Sequence, residues 1–212
     1  MGKRALLMLD FNPAPALLNM NVNHKVTADI TGEARAAATN PFAFNIRPQL
    51  SFEYLLGKSI AMGMNLQQVV TGTIIDEDAM TTYGGYGVLK GNAAGISLKF
   101  YKFRKGGAVA PLGLYSSLNL DMYKINAYSS LRNKTKLLQE DINYPVASWG
   151  FGKQFMPVPR LLVGTGAEIG LAFISIDENE STASLYTREA VEMSTFAYHL
   201  FNFKVSVGYM LF

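Results

Sequence analysis

The last twelve residues, Phe201-Asn202-Phe203-Lys204-Val205-Ser206-Val207-Gly208-Tyr209-Met210-Leu211-Phe212, alternate in a two-residue rhythm. Phe201, Phe203, Val205, Val207, Tyr209 and Leu211 are apolar, whereas Asn202, Lys204 and Ser206 between them are polar. A strand with that period has one greasy face and one wet face. The same period recurs along the whole chain, and its greasy faces are too numerous for the core that 212 residues could close over. A barrel turned inside out resolves the conflict. In a bilayer the apolar face meets lipid, the polar face points into the lumen, and closure leaves no unpaired edge.

Composition alone hides this. A hydrophobic fraction of 49% is ordinary for a soluble domain. No stretch approaches the roughly 20 apolar residues of a spanning helix, but a spanning strand needs only about 10, with every second one apolar. The absence of cysteine suits a chain that crosses the periplasm without disulfides. A formal charge of +3, dispersed and without a basic stripe of interleaved aromatics, excludes a nucleic-acid binder. At the amino end, Gly2-Lys3-Arg4 before Ala5 to Leu9 mimics a secretory leader with an Ala14-Pro15-Ala16 site, but Asp10 interrupts the apolar run too early. Ala5, Leu7, Leu9 and Phe11 instead share one strand face. The chain reads as a mature protein given a start methionine, its export signal removed.

Period two predicts eight strands, near residues 4–11, 44–56, 60–67, 92–104, 111–128, 146–156, 160–176 and 201–212. Gly57-Lys58 makes the clearest hairpin turn, Lys105-Gly106-Gly107 begins another short connection, and Pro157 and Pro159 break the ladder to make the third. Connections after strands one, three, five and seven are long and polar, covering about 12–43, 72–91, 129–145 and 177–190. Short turns on one side and long loops on the other characterise porin-like barrels. The fold class is therefore all-β, an eight-stranded antiparallel up-and-down transmembrane β-barrel forming one domain over 1–212. Both termini fall on the short-turn side, which is the periplasm.

These features resemble the small OmpA/OmpX-like outer-membrane barrels of Gram-negative bacteria, including the Bacteroidota-type porin-family barrel domains, over nearly the whole chain. The resemblance implies a bacterial outer-membrane location with lipid and lipopolysaccharide as partners. It also implies that the final strand, with Tyr209 and Phe212, is the signal read by the barrel-assembly machinery. Tyr209 and Leu211 lie on the opposite parity from Phe212, so either the last residue turns inward or a bulge shifts the phase.

With apolar faces outward, the lipid-facing set includes Leu50, Phe52, Met62, Leu98, Leu118, Trp149, Phe151, Ile169, Phe203 and Val205. The lumen set is Asp10, Arg47, Glu53, Lys99, Asp121, Glu168 and Lys204, a near-balanced mixture. Eight strands leave an interior that side chains fill, so these charges are expected to pair as a plug rather than line a pathway. Inward glycines such as Gly63, Gly164, Gly166 and Gly170 leave a narrow or gated small-solute channel as the alternative. Trp149, Tyr54, Phe155, Tyr123 and Tyr209 are candidates for interfacial aromatic girdles.

Chemistry is sparse. His24 and His199 are the only imidazoles. His199 has outward parity, whereas Ser194 and Glu192 lie on the other, so no triad forms and an outer-leaflet lipid-modifying enzyme is the second alternative. The acidic runs Asp76-Glu77-Asp78 and Asp177-Glu178, with Glu180, lack the glycine and terminal glutamate of a calcium loop and read as a solvated rim. Arg132-Asn133-Lys134-Thr135-Lys136 is a basic loop able to meet lipopolysaccharide phosphate. Gly84-Gly85-Tyr86-Gly87 lacks the strand-to-helix setting of a phosphate cradle. Neither cofactor nor metal is expected. A soluble lipocalin-like barrel is disfavoured because its interior should be apolar. The sequence points to a non-enzymatic protein that works through its long extracellular loops, on an external ligand or another envelope protein.

Overall fold

The computed structural model describes residues 5–15, 44–73, 87–102, 111–129, 136, 141–176 and 185–211. Eight strands run in chain order: β1 Ala5–Pro15, β2 Phe44–Leu55, β3 Ile60–Thr73, β4 Gly87–Tyr101, β5 Gly113–Ser129, β6 Ile142–Val158, β7 Leu161–Ala172 and β8 Asn202–Met210. Each pairs antiparallel with its sequence neighbours, and β8 pairs with β1, so the sheet closes into a barrel without an edge. The wall is all-β. No described helix is long and apolar enough to cross a membrane, which says nothing of strands.

One row of paired residues measures the stagger. From Leu161 on β7 it passes Tyr209, Leu7, Phe52, Met64, Ile96, Leu120 and Ala147, and regains β7 at Leu171, ten residues beyond its start. Such a shear tilts the strands by about 35–45° to the barrel axis. Every residue of the row is apolar. Above and below it the outer surface repeats the pattern, with Leu9, Leu50, Met62, Leu118, Trp149, Phe151, Ile169, Phe203 and Val205 exposed.

The short turns hold as compact links. After β2, the carbonyl of Ile60 accepts from the amides of Leu56 (2.9 Å) and Gly57 (3.3 Å). Between β6 and β7 the chain does not stop at Pro157. The pairing shifts register between Phe155 and Val158, which absorbs the proline, and the reversal falls at Pro159-Arg160, where Arg160 takes φ 73°.

Two expectations fail at the seventh connection. The strand predicted for 160–176 ends at Ala172, and the apparent loop before the terminal strand holds a helix, α1, Leu185–Leu200. Beyond Glu168, β7 has no β8 residue beside it, so an alternating sequence lacks a second partner there. Residues 185–200 contain neither glycine nor proline, and half of them are Leu, Glu, Ala, Met or Arg, which favour helix. The Nδ2 of Asn202 donates to the carbonyl of His199 (3.3 Å), satisfying one orphan acceptor where α1 turns into β8.

Candidate functional site

The lumen is filled in three layers. Nearest the short turns, Leu6, Met8, Leu55, Ala61, Tyr101, Tyr115, Leu162 and Met210 form an apolar cluster. The prediction of a wholly polar interior is corrected here. Inward positions near the strand ends are apolar because side chains meet across a narrow barrel and pack there as a small core.

The middle layer is ionic. The Nζ of Lys204 lies 2.9 Å from Oδ2 of Asp10, and Lys99 pairs with Glu53. The Ser51 hydroxyl also donates to Asp10 Oδ2 (2.8 Å), Gln49 Nε2 donates to Ser51 (3.1 Å), and Asn12 Nδ2 donates to Gln49 (3.1 Å). Tyr101 of the lower cluster, which donates to Gln154 Oε1 (2.8 Å), also brings its Oη within 3.4 Å of Glu53 Oε2 and so ties this network to that cluster. Glu168, partly exposed, accepts from Asn119 Nδ2 at 3.2 Å. Asp121 lies across from Gly95, where a Cβ would overlap its Oδ1, so the carboxylate occupies the space glycine leaves. Cations and carboxylates brought together at low dielectric are held by this mutual satisfaction.

The third layer lies toward the long connections. Val69, Leu89, Ala93, Tyr123, Ile125, Ala127, Ile142, Tyr144 and Val146, contributed by β3 to β6, enclose Val191 and Tyr198 of α1. Residues 191, 195, 198 and 199 recur at helical spacing and are all buried, so α1 lays one face into the mouth of the barrel. The Oε1 of Glu192 accepts the amide of Ile176 at 2.6 Å, fastening the helix to the chain leaving β7.

His199 is the largest departure from expectation. It is 2% exposed, not on the outer face, because helical rather than strand geometry governs its direction. Arg47 Nη1 lies 3.2 Å from its Nδ1 and Tyr144 Oη 3.2 Å from its Nε2. The Arg47 guanidinium also sits 4.6 Å over the Tyr198 ring. Tyr123, expected as a girdle candidate, is likewise inside, 4.4 Å from the His199 ring and stacked on Tyr144 at 5.3 Å. Odd-numbered residues of β5 face inward, which places it there. Glu192 and Ser194 belong to the same helix and therefore do not follow strand parity.

The remaining sites are distributed plainly. Tyr54, Trp149, Phe155 and Tyr209 are exposed on the outer surface, and Leu98 there is only partly exposed. Phe212, His24, residues 76–78, 84–86, 105–107, 132–135, and Asp177, Glu178 and Glu180 lie outside the described residues. Lys136 is described, and it pairs with Asp141 at 3.2 Å. Among the described residues no group of three or more His, Asp or Glu side chains is placed to hold a metal ion.

The chain matches no known family model and no curated protein sequence. Among solved structures it is similar to the N-terminal β-barrel domain of Pseudomonas aeruginosa OprF, with 9% identity, 99% of this chain and 98% of that chain covered, and a TM-score of 0.49. It is also similar to Ail, the attachment invasion locus protein of Yersinia pestis, in complex with the heparin analogue sucrose octasulfate, with 13% identity, 99% of each chain covered and a TM-score of 0.47. Neisserial surface protein A gives 9% identity, 98% and 97% coverage and a TM-score of 0.48.

Proposed function

We propose that the chain is a small bacterial outer-membrane barrel that works without catalysis, as a structural or surface-interaction protein whose long connections are displayed on one side. One observation carries this reading: the outer surface is a continuous apolar ring, whereas Asp10, Arg47, Glu53 and Lys99 are enclosed. A water-soluble protein rarely exposes so extensive an apolar surface, and a bilayer is the solvent that suits it. The start of β1 and the end of β8 lie on the side of the short turns, which is assigned to the periplasm. Lipid and lipopolysaccharide are then the surrounding partners. Tyr209, exposed on β8, belongs with Phe212 to the segment offered to the assembly machinery.

The packed lumen favours an anchor over a channel. Refolded protein should migrate faster unheated than boiled on a gel, the mark of a closed barrel in detergent. In planar bilayers it should give no stable unitary current. Steady currents would replace the anchor by the channel, and loss of heat-modifiable migration together with solubility free of detergent would remove the membrane reading altogether. Pull-down from native envelope then identifies what the displayed connections contact.

A further inference from the structure

The barrel wall is lowest at β8. That strand has nine residues against 17 in β5 and β6. Neighbouring strands outrun it: β7 continues through Ile169–Ala172 past its last β8 partner, Glu168, and β1 continues four residues past Phe11. Two prolines, Pro13 and Pro15, occupy the part of β1 that pairs with β2 but not with β8, as a one-sided stretch tolerates. From β7 to β1 across β8 is two strand spacings, about 9.5 Å, close to the roughly 10 Å width of a helix.

Directly before β8 comes α1. Its backbone packs most closely on β7 and then on β3, and its buried side chains Val191 and Tyr198 join the inward cluster of β3 to β6. The opposite face is left uncovered. That face carries Met193, Phe196 and Leu200 at helical spacing, exposed by 64%, 41% and 37%, values like those of Leu118 (52%) on the barrel surface. Where α1 ends, the His199 carbonyl presses against the inner face of β7 so closely that a Cβ on Gly170 would come within 2.8 Å of it. Leu200 leads through Phe201 into outward Phe203, and those two rings meet edge to face at 5.1 Å. The helical stripe is thus continuous along the chain with the apolar belt of the strands.

We propose that α1 is part of the membrane-facing wall, with Met193, Phe196 and Leu200 in contact with lipid acyl chains where β8 is too short to screen the lumen. This rests on the membrane reading above. Glu189, exposed one helical turn before Met193, marks the end of the stripe nearer water. A strand barrel would thereby be completed by one helical stave, which seals the interior layer of Tyr123, Tyr144 and His199 from the bilayer side.

The chain has no cysteine, so single spin labels are unambiguous. Full-length Met193→Cys, Phe196→Cys, Glu189→Cys and Leu118→Cys proteins are labelled separately, refolded into phosphatidylcholine vesicles and checked by heat-modifiable migration. Accessibility to oxygen and to a water-soluble nickel chelate is then read by paramagnetic resonance. Labels at 193 and 196 should match that at 118, with oxygen contact several-fold above chelate contact, and the label at 189 should reverse the ratio. Chelate contact dominating at 193 and 196 while 118 stays in lipid overturns the stave and leaves the barrel anchor standing. Exclusion of both reagents at 193 and 196 also overturns it, since protein would then cover the stripe. Chelate contact dominating at 118 itself defeats the membrane reading and this inference together.

Discussion

Arg47 on β2 holds its Nη1 3.2 Å from Nδ1 of His199, and both side chains are buried. Guanidinium has donors and no acceptor, so Nδ1 must present its lone pair. The ring proton then sits on Nε2 and is offered to Tyr144 Oη, 3.2 Å away. One neutral tautomer thus joins α1 to two strands across the mouth. His199→Phe removes the acceptor and strands a buried cation, and is expected to lower stability by about 1–3 kcal/mol. His199→Gln, able to accept from one partner and donate to the other, should recover much of it. Urea unfolding in detergent, followed by the single tryptophan Trp149, reads both.

Glu53 and Lys99 are 2% and 4% exposed in their side chains, so neither can fall back on water. Glu53→Ala should cost about 3–5 kcal/mol because Lys99 is left charged and unpaired. Glu53→Gln combined with Lys99→Met should be far milder than the sum of the singles. A double-mutant cycle on unfolding free energy checks the coupling, and simple additivity would mean the pair is not enclosed.

Gly95 faces Asp121 across β4 and β5 so closely that any Cβ overlaps the carboxylate, with the Leu120 carbonyl 2.5 Å away. Gly95→Ala is expected to destabilise by about 1–3 kcal/mol through overpacking. Adding Asp121→Ala should restore only part, since the backbone carbonyl cannot move aside without the strand. Midpoints of thermal unfolding in detergent rank the three proteins.

Asp141, just before β6, accepts from Lys124 (2.7 Å) and Lys136 (3.2 Å), and these hydrogen bonds hold its carboxyl down at about 2. A depressed carboxyl stabilises the folded state above its unfolded value of about 3.9 and loses that contribution as pH falls through the folded value. The Lys136 contact should therefore persist at pH 5 and release between roughly pH 4 and 2. Carbon-13 titration of Asp141 reports the midpoint, which should rise toward the ordinary range in Lys124→Met with Lys136→Met. Being exposed, the pair should also weaken in high salt.

The helix shows where local reading stopped. Val191, Thr195, Tyr198 and His199 carry a helical period in plain sequence, yet they directly precede the strongest two-residue alternation in the chain. Extending that alternation backward gave His199 the wrong face. Tyr123 could be placed inward by its parity on β5, but its contact with a histidine 76 positions away could not.

Sequence alone determined the strands, their inward and outward parity and the even count, because a period of two is a property of each segment by itself and repeats wherever one face meets a different solvent. Tertiary structure alone decided the ten-residue stagger, the layering of the lumen and the docking of α1 against β7 and β3 at the mouth. Those depend on which distant residues the closed barrel brings within a side chain's reach, and no local pattern carries that distance.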